Sequence, residues 1–544
     1  MAMQTVKTPF TNMTFTPDVP SSALSATEYN AGQNIETDLR SIKSVLGDQY
    51  FLANIVGNPI FVTSGFRAND VYWFIVATEQ GVWFAIDQAG DITNITPPLG
   101  NFSGYNTSTV ITASWNGNVL FINDMLNPPM FLLPDNNVLY LYDNAPYNYV
   151  WNYDVTNNTT SGNTAPLYSS LTAGFLRVYN SPNLGALLVA GNLTGVVADG
   201  VLSPTPGTDQ NLPTTIRWSQ NFGLNAGPTT WAPTITNVAN ELEVPVRGPV
   251  IDGFPLNGNF YICSYWDTCV MSPIAYTSSY APAFGIKLIN QGRGMLNENC
   301  WCNVDNTVFG LDARDIWQFD GGNFKAIGNQ RIKNYFYNNL NGNYVNQIFM
   351  VHNSTKYQIE IYYPDLNSTG HCNQMLAYRY DLDVWQPPRQ VSQATAGTEA
   401  PRIISGNINL ATRGVVYSSF NTNQYLIQKD IGTNFLGSSI TSLFQRNNLS
   451  FGQPYSSSVL VHRVLPEIYG TGNIDITIGG ADSVASTPTY KPTVVMPIVT
   501  DNPWIQVDQN EARVVTMQVG NTSSTDSWQL SAANWQVTVV QDTR

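Results

Sequence analysis

Short runs of alternating apolar and polar residues, broken by Asn/Gly/Asp turns, recur along this chain from about residue 48 to 430. A period of two places successive side chains on opposite faces of an extended backbone, so each run predicts a strand. The clearest unit is residues 71–98, VYWFIVATEQGVWFAIDQAGDITNITPP. It predicts a strand Tyr72–Thr78, a turn at Glu79-Gln80-Gly81, a second strand over 82–87, a turn at Ala89-Gly90 and a third strand over 92–96. Three antiparallel strands in so short a span make most of one blade of a β-propeller. A second unit spans residues 112–132, where Asn116-Gly117 signals a hairpin between 113–115 and Val119–Asn123.

Further units lie at 185–195, 214–220, 258–273, 306–328 and 358–385. In the fourth of these, strands over 308–311 and 315–319 flank Asp312-Ala313-Arg314, and Asp320-Gly321-Gly322-Asn323 turns again. The spacing is irregular, so the repeat is one of structure rather than of sequence, and it accommodates five to seven blades. An irregular set of β-sandwiches is the alternative. After about residue 430 the strands lengthen and spread, at 458–470, 473–480, 513–520 and 534–541, which predicts a closing β-sandwich. Residues 1–47 lack the dense aromatic alternation and read as an extended N-terminal arm. Within it Ile35, Leu39, Ile42 and Leu46 fit a helical stripe, while TDLRSIKSV fits an extended segment nearly as well. The expected organisation is thus all-β: an arm (1–47), a β-propeller (48–430) and a C-terminal β-sandwich (431–544).

Composition agrees. Charged residues are only 11% of the 544, against 43% apolar and 12% aromatic. Asn, Thr, Ser, Gln and Gly replace the missing charge, a choice that suits turns and strand surfaces better than exposed helices. No apolar window reaches the roughly 18 residues of a membrane span. The start, MAMQTVKTPFTNMTFTPDVP, carries no apolar core of the kind a secretory signal needs. Net charge is −14 with no Lys/Arg cluster, which argues against a phosphate-gripping nucleic-acid site. An acidic surface could still line a passage through which DNA slides without sticking.

Candidate chemistry is sparse. Five cysteines do not make a disulfide framework over this length, and Cys263/Cys269, Cys300/Cys302 and Cys372 beside His371 lack the paired CxxC spacing of zinc sites. Only His352, His371 and His462 could serve as bases, and none sits in a GxSxG elbow. P-loop, GxGxxG and HExxH motifs do not occur. Asp312, Asp315 and Asp320 form the one obvious carboxylate cluster. Turn-edge acids usually cap backbone amides in contact with water, whereas a glycosidase pair would need a carboxyl whose pKa burial has raised. Trp73, Trp83, Trp115, Trp218, Trp317 and Trp385 could stack on sugars, but in alternating strands they read chiefly as core between blades. No catalytic, cofactor-binding or metal-binding residue is assigned, and no cofactor is expected.

One succession of segments carries a resemblance. RSIKSVLG (40–47) precedes VYWFIVATEQGVWFAID (71–87), then IRWSQ (216–220) and Trp231-Ala232-Pro233, then GNFYICSYWDTCVMSP (258–273). DIWQFDGGNFKAIGNQRIKNYF (315–336), EIYYPDLNSTGHCNQMLAYRYDLDVW (360–385) and KDIGTNFLGSSITSLF (429–444) follow. In this order, over roughly residues 30–544, the chain resembles the tail nozzle, or tail stabilisation, propeller proteins of short-tailed bacteriophages and related virion proteins of tailed phages. The resemblance implies a non-enzymatic virion protein, made in the host cytoplasm and assembled as a hexameric ring in the distal tail. It also implies a tail-tube or adaptor protein above, fibres or spikes beside it, and DNA passing through without sequence specificity. A glycan-binding or glycan-cleaving propeller and a baseplate or fibre-network protein of a longer-tailed phage are the alternatives.

Overall fold

A computed structural model of the chain describes residues 3–541 apart from 53–54, 56, 58, 69–70, 88, 107–108, 154–167, 199–205, 275–281, 392–401, 404–415, 419–425, 452–456, 484–485, 500, 502, 522 and 524–525. The described chain is made of strands, turns and loops with very little helix, and its single α-helix among the described residues is Lys333–Asn339. The fold is all-β, built largely from four-stranded antiparallel sheets.

Seven sheets succeed one another along the chain. The first holds Pro59–Phe66, Tyr72–Thr78, Trp83–Asp87 and Ile92–Asn94, with Arg402–Ile403 added in parallel at its edge. The second holds Thr112–Asn116, Val119–Asn123, Met130–Leu132 and Tyr140–Leu141. The third is built from Tyr168–Ser181, Gly185–Val197, Asp209–Trp218 and Asn240–Glu243, and the fourth from Val250–Leu256, Asn259–Ser264, Asp267–Pro273 and Phe284–Gln291. Trp301–Val304, Thr307–Leu311, Ile316–Phe319 and Phe324–Ala326 make the fifth, and Phe349–Asn353, Gln358–Tyr363, Gln374–Arg379 and Val384–Gln390 the sixth. The seventh is composite: Val416–Ser418 and Leu426–Lys429 are continued by Asp48–Leu52, from before the first sheet, and then by Asn434–Phe435 and Ser438–Ser439.

The inner strands are buried almost end to end, as in YWFIVAT and VLFIN, because both faces of each sheet meet a neighbour. Phe61, Ile75 and Ala77 turn toward Leu120, Ile122 and Met130 of the second sheet, while Val62, Phe74 and Val76, one residue out of phase, pack with Leu426 of the seventh. Val119 and Phe121 meet Leu176 and Leu188 of the third sheet, and Phe175 and Trp218 meet Phe260 and Met271 of the fourth. Phe254, Trp317 and Ile359 join the fourth, fifth and sixth, and Phe349 and Tyr362 meet Ile427 of the seventh. Each sheet therefore packs on its successor, and the seventh packs back on the first.

The hairpin foreseen at Asn116-Gly117 turns one residue later, at Gly117-Asn118. Asn116 stays in the ladder because its side-chain amide donates to Gly223 O (2.8 Å) and Ala226 O (3.1 Å) of the third sheet's loop. Gly117 then takes φ +60°, where a Cβ would strike Asn225 Oδ1, so glycine is required there.

Two six-stranded antiparallel sheets complete the chain and share one core. One contains Ser457–Thr471, Ile505–Ala512 and Ser527–Gln541; the other contains Ser442–Leu449, Asn473–Ala481 and Val514–Asn521. Val459, Val461, Trp535 and Val537 of the first face Ile476, Ile478, Met517 and Val519 of the second. The pairing of Ser457–Thr471 with Ser527–Gln541 shifts register twice, between Val461 and Arg463 and between Glu467 and Ile468, and the burial alternation slips at the first of these.

The N-terminal residues are strands of these same sheets. Gln4–Pro9 and Ser41–Ser44 pair with Ser527–Gln541, and Ala31–Gln33 pairs with Ser442–Leu449. The open choice over residues 35–46 resolves as a hairpin of Ile35–Asp38 and Ser41–Ser44. Ile35 and Ile42 are buried and Leu39 and Leu46 exposed, a split that a single helical stripe would not produce.

Asn34 pins this segment. It is fully buried with φ +51°; its amide donates to Thr441 O (2.8 Å), its carbonyl oxygen accepts from Gln390 N (2.9 Å), and its own N–H donates to Pro388 O (3.0 Å). One side chain thus ties the N-terminal strands to the sixth sheet and to the C-terminal sheets. Asn34→Ala removes the side-chain partner of two partly buried backbone groups, Thr441 O and Gln390 N, and should cost about 1–3 kcal/mol. Urea denaturation followed by tryptophan emission should show the fall, and an unchanged midpoint would mean that the pin is not structural.

Candidate functional site

The carboxylate cluster lies in the fifth sheet, at the loop joining Thr307–Leu311 to Ile316–Phe319. Asp312 Oδ1 accepts from the backbone N–H of Arg314 (2.6 Å) and of Asp315 (2.8 Å), the local bonding that makes Asp a turn former. Its second oxygen pairs with Arg293 Nη1 at 3.1 Å. Asp315 Oδ1 accepts from Ile316 N at 2.8 Å. Asp320 bonds Gly322 N and Asn323 N and is exposed, and those amides hold its carboxyl below the usual range.

The expectation that all three turn acids are wet fails for two of them: Asp312 and Asp315 are only 2% and 3% exposed. The cause is tertiary. Residues 328–333 fold back over the loop, with Gly328 O accepting from the N–H groups of Arg331, Ile332 and Lys333. Gly328 itself lies so close to Asp315 that a Cβ would sit 2.7 Å from Oδ1. Burial raises the Asp315 carboxyl above its ordinary range, against the pull of Ile316 N–H, Arg293 and Lys333.

An open cavity of about 430 Å³ adjoins Asp315 and is lined also by Arg293, Arg314 and Lys333. Arg314 lies across the ring of Trp266, 5.4 Å from its centre, and Nη1 donates to Gly292 O at 3.4 Å. Sequence reasoning singled out the acids here and missed the bases. Arg293, Arg314 and Lys333 are spread over three elements in a chain of net charge −14, so no local run betrays them.

A second polar cluster lies where the first strands of successive sheets meet. Arg177 of the third sheet holds Asp252 of the fourth through two bonds, Nε–Oδ1 at 2.9 Å and Nη2–Oδ2 at 2.5 Å. The same guanidinium donates to Ala113 O of the second sheet (3.0 Å) and to Asn299 Oδ1 (2.9 Å). Asn299, just before the fifth sheet, donates its amide to Ile111 O (3.0 Å), its carbonyl accepts from Met350 N of the sixth (3.0 Å), and Trp301 Nε1 donates to Asp252 Oδ2 (2.9 Å). Five sheets are thus joined through one buried set of side chains.

A third cluster closes the seventh sheet. Glu360, fully buried, accepts from Lys429 and from Asn353 (2.8 Å), Gln358 (2.7 Å) and Tyr362 (3.0 Å). Asp430 pairs with Arg389 (2.6 Å) and Lys356 (2.9 Å), Arg389 with Asp48 (2.5 Å), and Lys356 with Glu36. Burial opposes both carboxylates, yet Lys429 holds Glu360, and Lys356, Lys429 and Arg389 hold Asp430, below their usual range.

His352 shares a hydrogen bond with Tyr380 (3.1 Å) and His462 with Thr538 (2.8 Å), and His371 is buried. All five cysteines are buried, and burial pushes the Cys263 and Cys269 thiols up to about 12. Among the described residues no three His, Cys, Asp or Glu side chains converge as metal ligands would. Trp83, Trp218, Trp317 and Trp385 are fully buried, as core residues; Trp73 and Trp115 are half-buried, Trp73 under Arg67 and Trp115 bonded to Thr63. No helix among the described residues is long and apolar enough to cross a membrane. The chain matches no protein-family model, and no curated protein is similar enough to it to count as a match.

Proposed function

We propose that the chain is an architectural subunit of a bacteriophage tail, with the seven sheets as blades of a β-propeller and the C-terminal pair as a β-sandwich. The observation that carries this reading is the cyclic packing of seven successive sheets, with Asp48–Leu52 completing the seventh beside Leu426–Lys429. Strand exchange between the start and end of a propeller prevents its last blade from peeling away, which suits a part that must bear load. The N-terminal strands, in the place where the resembling tail proteins carry an arm, bind the propeller to the sandwich.

On this reading the copies form a closed, hexameric ring in the distal tail, with a tube or adaptor protein above and fibres or spikes beside it. The Arg177–Asp252–Asn299 cluster fills the meeting point of the first strands, so DNA would pass between copies, along the axis of the ring, and not through a single propeller. The few charges of the chain leave a surface of amides and hydroxyls for contacts between copies.

Negative-stain imaging and light-scattering mass of the purified protein, with immunogold labelling of virions, test this. A coaxial ring, or label at the tail tip, is the expected result. A monomer that never labels particles would overturn it.

A further inference from the structure

We propose that the cavity between the fourth and fifth sheets is a binding site for a sugar acid, with the ligand's carboxylate held by Arg314 and Lys333. This inference stands independently of the tail reading.

A chain of net charge −14 repels anions at long range, yet three bases, Arg293, Arg314 and Lys333, converge on one open cavity of about 430 Å³. Only Arg293 has an evident structural duty, its bond to Asp312. Lys333 makes no side-chain hydrogen bond or ion pair among the described residues, and Arg314 makes a single long one, to Gly292 O at 3.4 Å. Its guanidinium lies over the Trp266 ring, a contact that leaves most of its five donors unused. Asp315 is buried and accepts from Ile316 N, and among the described residues it forms no ion pair with Arg314 or Lys333.

The rest of the lining is both polar and apolar, as a sugar ring is. Asn290 and Asn329 bring side-chain amides that can both donate to and accept from hydroxyls, and the Asp315 carboxyl adds another polar partner. Phe324 and Ala326 present an apolar wall against which the C–H face of a pyranose would rest. A bare phosphate or sulfate would use the bases and nothing else. Anion-holding bases, hydroxyl-matching amides and an apolar wall together select a ring that bears both a carboxylate and hydroxyls, such as a uronic acid.

Isothermal titration of the full-length protein with glucuronate, glucose and inorganic phosphate tests the assignment. Saturable binding of glucuronate is expected, with glucose weaker by about tenfold or more, the loss of one charge-assisted contact. Arg314→Ala and Lys333→Ala should each weaken glucuronate by a similar factor, Lys333→Arg should retain it, and Asp320→Asn, on the next turn, should leave it unchanged. Arg314 is exposed and Lys333 half-buried, so these variants should keep the wild-type thermal midpoint. Absence of saturable glucuronate binding would overturn the proposal. Phosphate binding as tightly as glucuronate would reduce the cavity to a simple anion site, and unchanged affinity in both alanine variants would place the sugar elsewhere; either result also overturns it.

Discussion

Replacing Arg177 with Met should destabilise the protein by about 3–5 kcal/mol, the range for breaking a buried ion pair from one side. Asp252 is fully buried and would keep only neutral donors, from Trp301 Nε1 (2.9 Å), Gly253 N (2.8 Å) and Asn299 N (3.3 Å). Asn299 and Ala113 O would each lose a partner as well, so contacts among the second, third, fourth and fifth sheets loosen together. The penalty belongs to the stranded carboxylate and not to the missing guanidinium alone. Combining Arg177→Met with Asp252→Asn should therefore recover part of the loss, because no buried charge remains. Thermal unfolding of the single and double variants checks both statements. An unchanged midpoint in Arg177→Met, or a double variant no more stable than Arg177→Met alone, would contradict this.

Lys429→Met should cost a comparable amount, about 3–5 kcal/mol at neutral pH, by leaving Glu360 buried without its cation. The pH dependence separates this cause from loss of packing. In the parent protein Glu360 and Asp430 have folded pKa values below their unfolded ones. Their contribution is present above the unfolded value, near 4, and is lost as pH falls through the folded values. Lys356 is shifted upward: burial lowers it, but Glu36 and Asp430 outweigh that. Its contribution is present below about pH 10 and is lost as pH rises through its folded value. Stability should thus be broad through neutrality and fall on both sides. In Lys429→Met, Glu360 loses the group that held its pKa down, burial dominates, and the deficit relative to the parent should narrow from pH 7 toward pH 5 as the carboxyl takes up a proton. A deficit constant across that interval would assign the effect to packing instead.

Much of the strand content is legible in local pattern. Tyr72–Thr78 and Val119–Asn123 are strands with the bounds that period-two alternation and flanking turns imply, and the long C-terminal strands fall on the expected segments, the last of them starting earlier, at Ser527. The all-β class follows from the same signals. The burial of Trp83, Trp218, Trp317 and Trp385 was equally readable, since a large aromatic inside an alternating apolar run has no better place than between sheets.

What local pattern could not decide was the fate of residues whose partners lie far away in sequence. The segment 35–46 has neither a pure helical nor a pure strand period; pairing of Ser41–Ser44 with Ser527–Gln541, almost five hundred residues on, settles it as a strand. Asp312 and Asp315 look like surface turn acids, and only the return of residues 328–333 across the loop buries them. The three bases beside them are invisible as a group until the fourth and fifth sheets and Lys333–Asn339 come together.

The sequence by itself determined the all-β character, the strand spacing and the aromatic core, because these depend on short-range period and turn chemistry acting within a few residues. Only the tertiary structure decided which strand completes the seventh sheet, which charges are buried as partners and which cavity gathers free cationic donors. These depend on contacts between distant segments, whose electrostatic and desolvation energies exist only once the chain has brought them within a few ångströms of one another.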